Sequence, residues 1–190
     1  NSLIFHYRGC WGSGGRYRFD TQPADIAAAL DYLATRPRPQ IDPQRLVLIG
    51  HSMGGWAAVL AGAADRRVRA VAVYGAVADP RTWTFNVEEA ATEYTPWLQG
   101  VTPTDLVAQW KDLAEAFWPV AQVARLAPRP LLIIHGAADG VVPPEQGRSL
   151  YEAAGQPRQL VVTTDANHAF SWQRKILRET LLEWLAQLMR

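Results

Sequence analysis

The sequence predicts an α/β fold, with a mostly parallel, doubly wound sheet that carries helices on both faces. Apolar runs of strand length alternate with segments of helical period along the 190 residues, and this alternation is typical of βαβ units. Residues 46–49 read Leu-Val-Leu-Ile and residues 131–134 read Leu-Leu-Ile-Ile. Because neither run alternates with polar residues, we expect both to be strands buried on both faces, as parallel strands are.

The first half of the chain is expected to contain three strands and two helices. The strands are predicted at residues 3–6, 46–50 and 70–74, and the helices at residues 23–34 and 53–64. In the earlier helix, Pro23 suits the first turn and Asp25 favours the positive end of the helix dipole.

After the third expected strand, residues 79–130 break the alternation and are predicted to be a helical insertion. Four of the eight tryptophans fall there among prolines, namely Trp83, Trp97, Trp110 and Trp118. Leu106, Val107, Trp110, Leu113, Ala114 and Phe117 fit one helical face, with Thr104 as its predicted N-cap. These aromatic residues could form a lid or acyl pocket that selects the substrate, or could pack the insertion onto the body.

The alternation then resumes to the end of the chain. Strands are predicted at residues 131–136 and 159–162, and helices at residues 144–154 and 176–188.

Composition indicates one ordinary globular domain over residues 1–190. Lys and Arg number 19 against 18 Asp and Glu, which leaves a net charge of +1. Without a basic run, neither nucleic acid nor an anionic membrane is an expected partner. The apolar runs are too short to span a bilayer, so a soluble protein, cytoplasmic by default, is expected. Cys10 is the single cysteine, so no intrachain disulfide or cysteine metal cage is expected.

A serine between glycines carries the clearest chemical signal. Residues 50–54 read Gly-His-Ser-Met-Gly between an apolar strand and an alanine-rich helix. A strand that turns straight into a helix strains the turn residue, and small neighbours leave room for the strain. Ser52 is therefore the predicted nucleophile. The backbone N–H of Met53, at the helix N-terminus, is the predicted oxyanion donor.

A serine hydroxyl needs a base to take its proton, and four histidines compete for that role. His51 lies inside the turn and is expected to point elsewhere, whereas His6 and His135 end strands and favour structural roles. His168 lies in a polar loop between the last strand and the last helix. It is the predicted base, because that loop can reach over the sheet edge.

An acid is needed to orient the histidine, and Asp139 is the predicted one. It lies in the loop after a buried strand, at the edge where ligand-facing groups collect in α/β sheets. Asp79 and Asp165 are rivals, although the chain order Ser52, Asp139, His168 matches one known triad order. A metal site built on His135, Asp139 and His168 is an alternative.

These motifs resemble the α/β-hydrolase superfamily, and the resemblance covers nearly the whole chain from residue 3. Residues 50–54 are similar to its nucleophile elbow, residues 135–143 to its acid loop, and residues 5–15 to the loop after its fourth strand. The chain looks most like bacterial esterases and peptidases related to the acylaminoacyl and dipeptidyl peptidases of the prolyl oligopeptidase clan.

The resemblance also implies a departure from the family pattern. In these hydrolases a second oxyanion donor comes from a His-Gly loop after the third strand, and that segment would precede Asn1. The fold is therefore expected to lack the family's first three strands, as the carboxyl-terminal portion of a longer hydrolase would.

The expected function is hydrolysis of a carboxylic ester or related acyl bond through a Ser52–His168–Asp139 triad and an acyl-enzyme, without a cofactor or metal. An aromatic, apolar insertion without a charged anchor favours an ester over a peptide. A serine peptidase acting on short peptides, and a non-catalytic or truncated binding domain, are the alternatives.

Overall fold

A computed structural model describes residues 1–35, 41–82, 84–116 and 118–188. The chain divides into two compact units. The first unit contains Asn1–Pro43 and Asp79–Trp118, and the sheet unit contains Gln44–Ala78 and Pro119–Arg190. Trp83 and Phe117 of the predicted insertion lie outside the described residues, and so does the side chain of Ala114.

The sheet unit holds four parallel strands joined by helices. In chain order, the elements of this unit are β1 (Leu46–His51), α2 (Met53–Ala64), β2 (Val68–Tyr74), α5 (Pro119–Gln122), β3 (Leu131–Gly136), α6 (Pro144–Ala153), β4 (Arg158–Thr163) and α7 (Arg174–Leu188). The strands lie in the order β1-β2-β3-β4, and every neighbouring pair is parallel. The predicted α/β class and parallel sheet are confirmed.

Helices cover both faces of this sheet, as the doubly wound prediction requires. On one face, Ala72, Ile134 and their neighbours form a buried cluster that α7 covers with Leu181 and Trp184. Side chains alternate along a strand, so Val71 points to the opposite face. There Gly62 of α2 packs so closely that a Cβ on it would lie 2.7 Å from Val71 Cγ2.

The two strands with similar sequences differ in burial. β3 is buried at every position, as predicted. The prediction of two buried faces was wrong for residues 46–49, because Ile49 is 48% exposed and Val47 and Leu48 are half-buried. Among the described strands, β1 ends the sheet and pairs only with β2.

The first unit contains α1 (Gln22–Thr35), α3 (Val87–Glu89) and α4 (Pro103–Ala116), with short 3-10 and π turns at Pro80–Thr82, Ala90–Tyr94 and Thr95–Trp97. The predicted strand at residues 3–6 was wrong, because this segment has no strand partner in the described chain and Ile4 is 87% exposed. An apolar run that short forms a strand only where a neighbour satisfies its backbone. The insertion therefore follows the second strand rather than the third.

Within the first unit, α4 presents the predicted apolar face. Leu106, Trp110 and Leu113 are buried, and Trp110 packs edge-on against Phe19 at 5.3 Å between ring centroids. The N-cap is Thr102 rather than Thr104, because the Asp105 amide donates to Thr102 Oγ1 at 3.1 Å. The Asp105 carboxylate in turn accepts from the Thr102 amide at 3.3 Å, which completes a reciprocal cap.

Candidate active site

The carboxyl ends of the four strands meet at one edge of the sheet unit. Register pairs His51 with Tyr74 across β1 and β2, and Gly136 with Thr163 across β3 and β4. Residues that follow these strand ends therefore come together, as they do in other open α/β sheets. Each of the four strands contributes to the candidate site.

Ser52 occupies the strained turn between β1 and α2. Its φ of 54° and ψ of −122° are unusual for a residue with a side chain. Gly50 makes this turn possible, because a Cβ there would lie 2.2 Å from the Gly54 carbonyl oxygen. Within the part of the chain that the structure describes, the Ser52 hydroxyl makes no hydrogen bond, including none to the His168 ring.

At the N-terminus of α2, the Met53 amide is available beside Ser52. The amides of Gly55 and Trp56 donate to the Ser52 carbonyl oxygen at 3.0 and 3.1 Å. Among the described residues, none accepts a hydrogen bond from the Met53 amide, which begins the helix. An unpaired N–H at the positive end of a helix dipole can stabilise negative charge.

Asp139 and His168 form a direct pair. His168 Nδ1 and Asp139 Oδ2 are 2.8 Å apart. The side chain of Asp139 is fully buried and that of His168 is 17% exposed. Since an ionised carboxylate only accepts, Nδ1 carries the proton and Nε2 of His168 is left able to take one.

Asp139 is held by several donors in addition to His168. Its Oδ1 accepts from the amides of Val141 and Val142 at 3.0 and 2.8 Å, and His135 Nε2 lies 3.4 Å from Oδ2. Burial alone would raise the pKa of Asp139. The hydrogen bonds from His168 and from the two amides, together with the nearby His135, outweigh burial, and the pKa of Asp139 lies well below its ordinary value.

His51 was expected to point away from the site, but its ring lies beside His168. His51 Nε2 is 2.9 Å from the His168 carbonyl oxygen, and the two rings have centroids 4.6 Å apart. The His51 ring is also stacked on Tyr74, with 4.5 Å between the ring centroids and an interplanar angle of 14°. Burial lowers the pKa of His51, and the nearby His168 lowers it further, against the opposite effects of the His168 carbonyl and Asp139.

Gly75, which the sequence analysis did not single out, lies against the histidine and acid pair. Its φ is +52°, and a Cβ there would lie 3.2 Å from His168 Nδ1 and 3.3 Å from Asp139 Oδ2. Its position in the sequence, directly after β2, could have pointed to Gly75. That strand lies between β1, which precedes Ser52, and β3, which precedes Asp139.

The rival residues are engaged or placed elsewhere. Asp79 accepts from Arg81 Nε at 2.8 Å, and that hydrogen bond lowers the pKa of Asp79. Asp165 and His6 are exposed, and His135 Nε2 is 2.9 Å from the Val142 carbonyl oxygen. Within the described ranges, no group of three His, Cys, Asp or Glu side chains is arranged to hold a metal ion.

Comparison with known proteins agrees with the fold and the motifs. Residues 3–190 match the prolyl oligopeptidase family. The chain belongs to that family. The family consists of hydrolases with the α/β-hydrolase fold, which is the assignment that the sequence motifs implied. Among the described residues, no helix combines the length and apolarity needed to cross a bilayer.

Three members and neighbours illustrate the likeness. An uncharacterized protein of Escherichia coli, YfhR, is 31% identical over 191 residues, which are 97% of this chain and 60% of that protein. The esterase domain of a Rhodothermus marinus protein is 28% identical with a TM-score of 0.64, over 90% of this chain and 69% of that one. A puromycin-hydrolyzing peptidase of Mycobacterium tuberculosis is 25% identical with a TM-score of 0.66, over 94% of this chain and 26% of that one. The chain thus spans about half to three fifths of the length of the curated relatives that it matches.

Proposed function

We propose that this protein is a serine hydrolase that cleaves carboxylic esters through an acyl-enzyme. His168 Nε2 takes the proton of the Ser52 hydroxyl as the serine oxygen attacks the ester carbonyl carbon. The carbonyl oxygen becomes an oxyanion that the Met53 amide stabilises. When the intermediate collapses, the bond to the alcohol breaks, and His168 returns the proton to the departing alkoxide.

The second half of the cycle uses the same residues. His168 takes a proton from water as the water oxygen attacks the acyl carbon of the acyl-Ser52 ester. When this second intermediate collapses, the bond between the acyl carbon and the Ser52 oxygen breaks, the carboxylic acid leaves, and His168 gives the proton to the serine oxygen. Asp139 keeps Nδ1 protonated throughout and stabilises the imidazolium. This cycle needs neither a metal nor a cofactor.

The 2.8 Å contact between His168 Nδ1 and Asp139 Oδ2 is the observation that carries the proposal. A buried carboxylate that orients an imidazole is the arrangement a general base requires. A backbone hydrogen bond supports the inclusion of Ser52 in the proposed triad, because the Ser52 amide donates to the Tyr74 carbonyl oxygen at 3.1 Å. The next residue along, Gly75, lies against the His168 ring.

An ester substrate is favoured over a peptide, although the peptidase remains the second candidate. The likeness to an esterase domain at 28% identity supports the first, and the likeness to a puromycin-hydrolyzing peptidase at 25% supports the second. The two candidate activities imply that the substrate is a small acyl compound or a short peptide.

Labelling with a fluorophosphonate probe tests the nucleophile. We expect the wild-type protein to be modified once, at Ser52, and Ser52→Ala to remain unmodified, because the probe reacts with an activated serine. Circular dichroism should show both proteins equally folded. A folded wild-type protein that resists the probe would favour the non-catalytic alternative instead.

A substrate panel then separates the two hydrolase candidates. Short and long acyl esters should be turned over with higher kcat/KM than aminoacyl anilides, and Ser52→Ala should lose both activities. Faster turnover of the anilides would reverse the ranking and identify a peptidase.

A further inference from the structure

We propose that His51 is a positioning residue that ties the backbone of His168 to the nucleophile turn. The proposal rests on the proposed function, in which His168 is the base. The role of His51 would be to set the distance and angle at which the His168 ring approaches Ser52, the residue that directly follows His51 in the chain.

The hydrogen bond has only one possible direction. A carbonyl oxygen accepts, so the 2.9 Å contact between His51 Nε2 and the His168 carbonyl requires the proton on His51 Nε2. Stacking on Tyr74, with 14° between the ring planes, holds the His51 ring in the orientation that aims Nε2 at this carbonyl. His51 therefore acts as a fixed donor.

Within the described part of the chain, the other hydrogen bonds of the histidine loop hold its neighbours rather than the backbone of His168. The Ala138 amide donates to the Ala166 carbonyl at 3.0 Å and the Phe170 amide to the Asn167 carbonyl at 3.0 Å. The Ser171 amide donates to Asn167 Oδ1 at 3.0 Å. Among the described residues, His51 is the donor that the structure gives to the His168 carbonyl. Asp139 orients the ring of His168, and His51 fixes the backbone from which that ring extends.

Two substitutions of His51 separate hydrogen bonding from packing. His51→Gln keeps a donor near the position of Nε2 but loses the ring, whereas His51→Phe keeps a ring that can stack on Tyr74 but loses the donor. We expect His51→Phe to lower kcat and the rate of fluorophosphonate labelling about 10- to 100-fold with little change in KM, because misplacing a catalytic group slows chemistry more than binding. His51→Gln should recover most of that loss.

The controls distinguish the possible failures. Equal melting temperatures for the two variants would show that the difference does not come from folding. If His51→Phe reacts as fast as the wild type, or His51→Gln as slowly as His51→Phe, the positioning role is wrong while the serine hydrolase stands. If the wild type itself is not labelled, the proposed function fails first.

A measurement on the wild-type protein covers the case in which a variant does not fold. Nitrogen-15 chemical shifts of labelled histidines report which ring nitrogen carries the proton. We expect His51 to be the Nε2–H tautomer at neutral pH. An Nδ1–H tautomer would leave no donor facing the His168 carbonyl and would overturn the proposal.

Discussion

The turn that holds Ser52 and the loop that holds Asp139 both follow apolar strands of one parallel sheet, but they are stabilised differently. Ser52 is held by backbone geometry, at a φ of 54°, and its hydroxyl has no hydrogen-bond partner among the described residues. Asp139 is held by donors to both carboxylate oxygens, including two backbone amides and His168. The turn at Ser52 should therefore be sensitive to added bulk, and the loop at Asp139 to lost charge.

The largest expected effect comes from removing the charge of Asp139, the proposed acid of the triad. Asp139→Asn keeps the shape of the side chain but cannot stabilise the imidazolium, so we expect kcat to fall about 10⁴-fold, as when a triad aspartate is replaced elsewhere. Ester hydrolysis under saturating substrate measures this change.

Asp79→Asn is the matched control for that experiment, because Arg81 binds the Asp79 carboxylate. Its turnover should stay near the wild-type value. Loss of activity in Asp79→Asn with retention in Asp139→Asn would instead identify Asp79 as the acid.

The next largest effect is expected from adding a side chain at Gly50, in the turn that holds Ser52. In Gly50→Ala the new Cβ would meet the Gly54 carbonyl oxygen at 2.2 Å, which forces backbone to move. Overpacking of this kind costs about 1–3 kcal/mol, so the melting temperature should fall and labelling of Ser52 should be lost.

Gly54→Ala is the control, because nothing lies within 4 Å of a Cβ at that position. Alanine is the better helix former by about 0.5–1 kcal/mol, so this variant should melt at or above the wild-type temperature. Thermal unfolding followed by circular dichroism compares the two. If the melting temperature of Gly54→Ala falls as far as that of Gly50→Ala, the strained backbone at Ser52 does not depend on Gly50 in particular.

The smallest expected effect is on stability at acid pH. The pKa of Asp139 lies well below its ordinary value in the folded protein and is about 3.9 in the unfolded protein. The ionised form therefore contributes stability above about pH 4, and this contribution is lost as pH falls toward the folded pKa. The free energy of unfolding of the wild type should exceed that of Asp139→Asn most at neutral pH.

Urea unfolding at several pH values measures that difference. A difference between wild type and Asp139→Asn that stays constant down to about pH 3 would contradict the linkage.

The sequence alone predicted the local elements and the parts of the site that have local signals. Helix α2 occupies the predicted residues 53–64, and β3 the predicted residues 131–136, because apolar period and glycine position are properties of neighbouring residues. Ser52 in its glycine turn, and Asp139 and His168 in loops after strands, were singled out by type and position. The structure brings Asp139 and His168 into hydrogen-bond contact.

Only the tertiary structure decided what depends on neighbours distant in the chain. Residues 3–6 and 46–49 have the apolar pattern of strands, yet the former pair with no described strand, and Ile49 is exposed because β1 ends the described sheet. His51 likewise gives no sign in the sequence of its bond to a carbonyl 117 positions away. A pattern of neighbouring residues predicts local conformation, whereas strand order and packing determine which residues are buried and which hydrogen-bond partners they have.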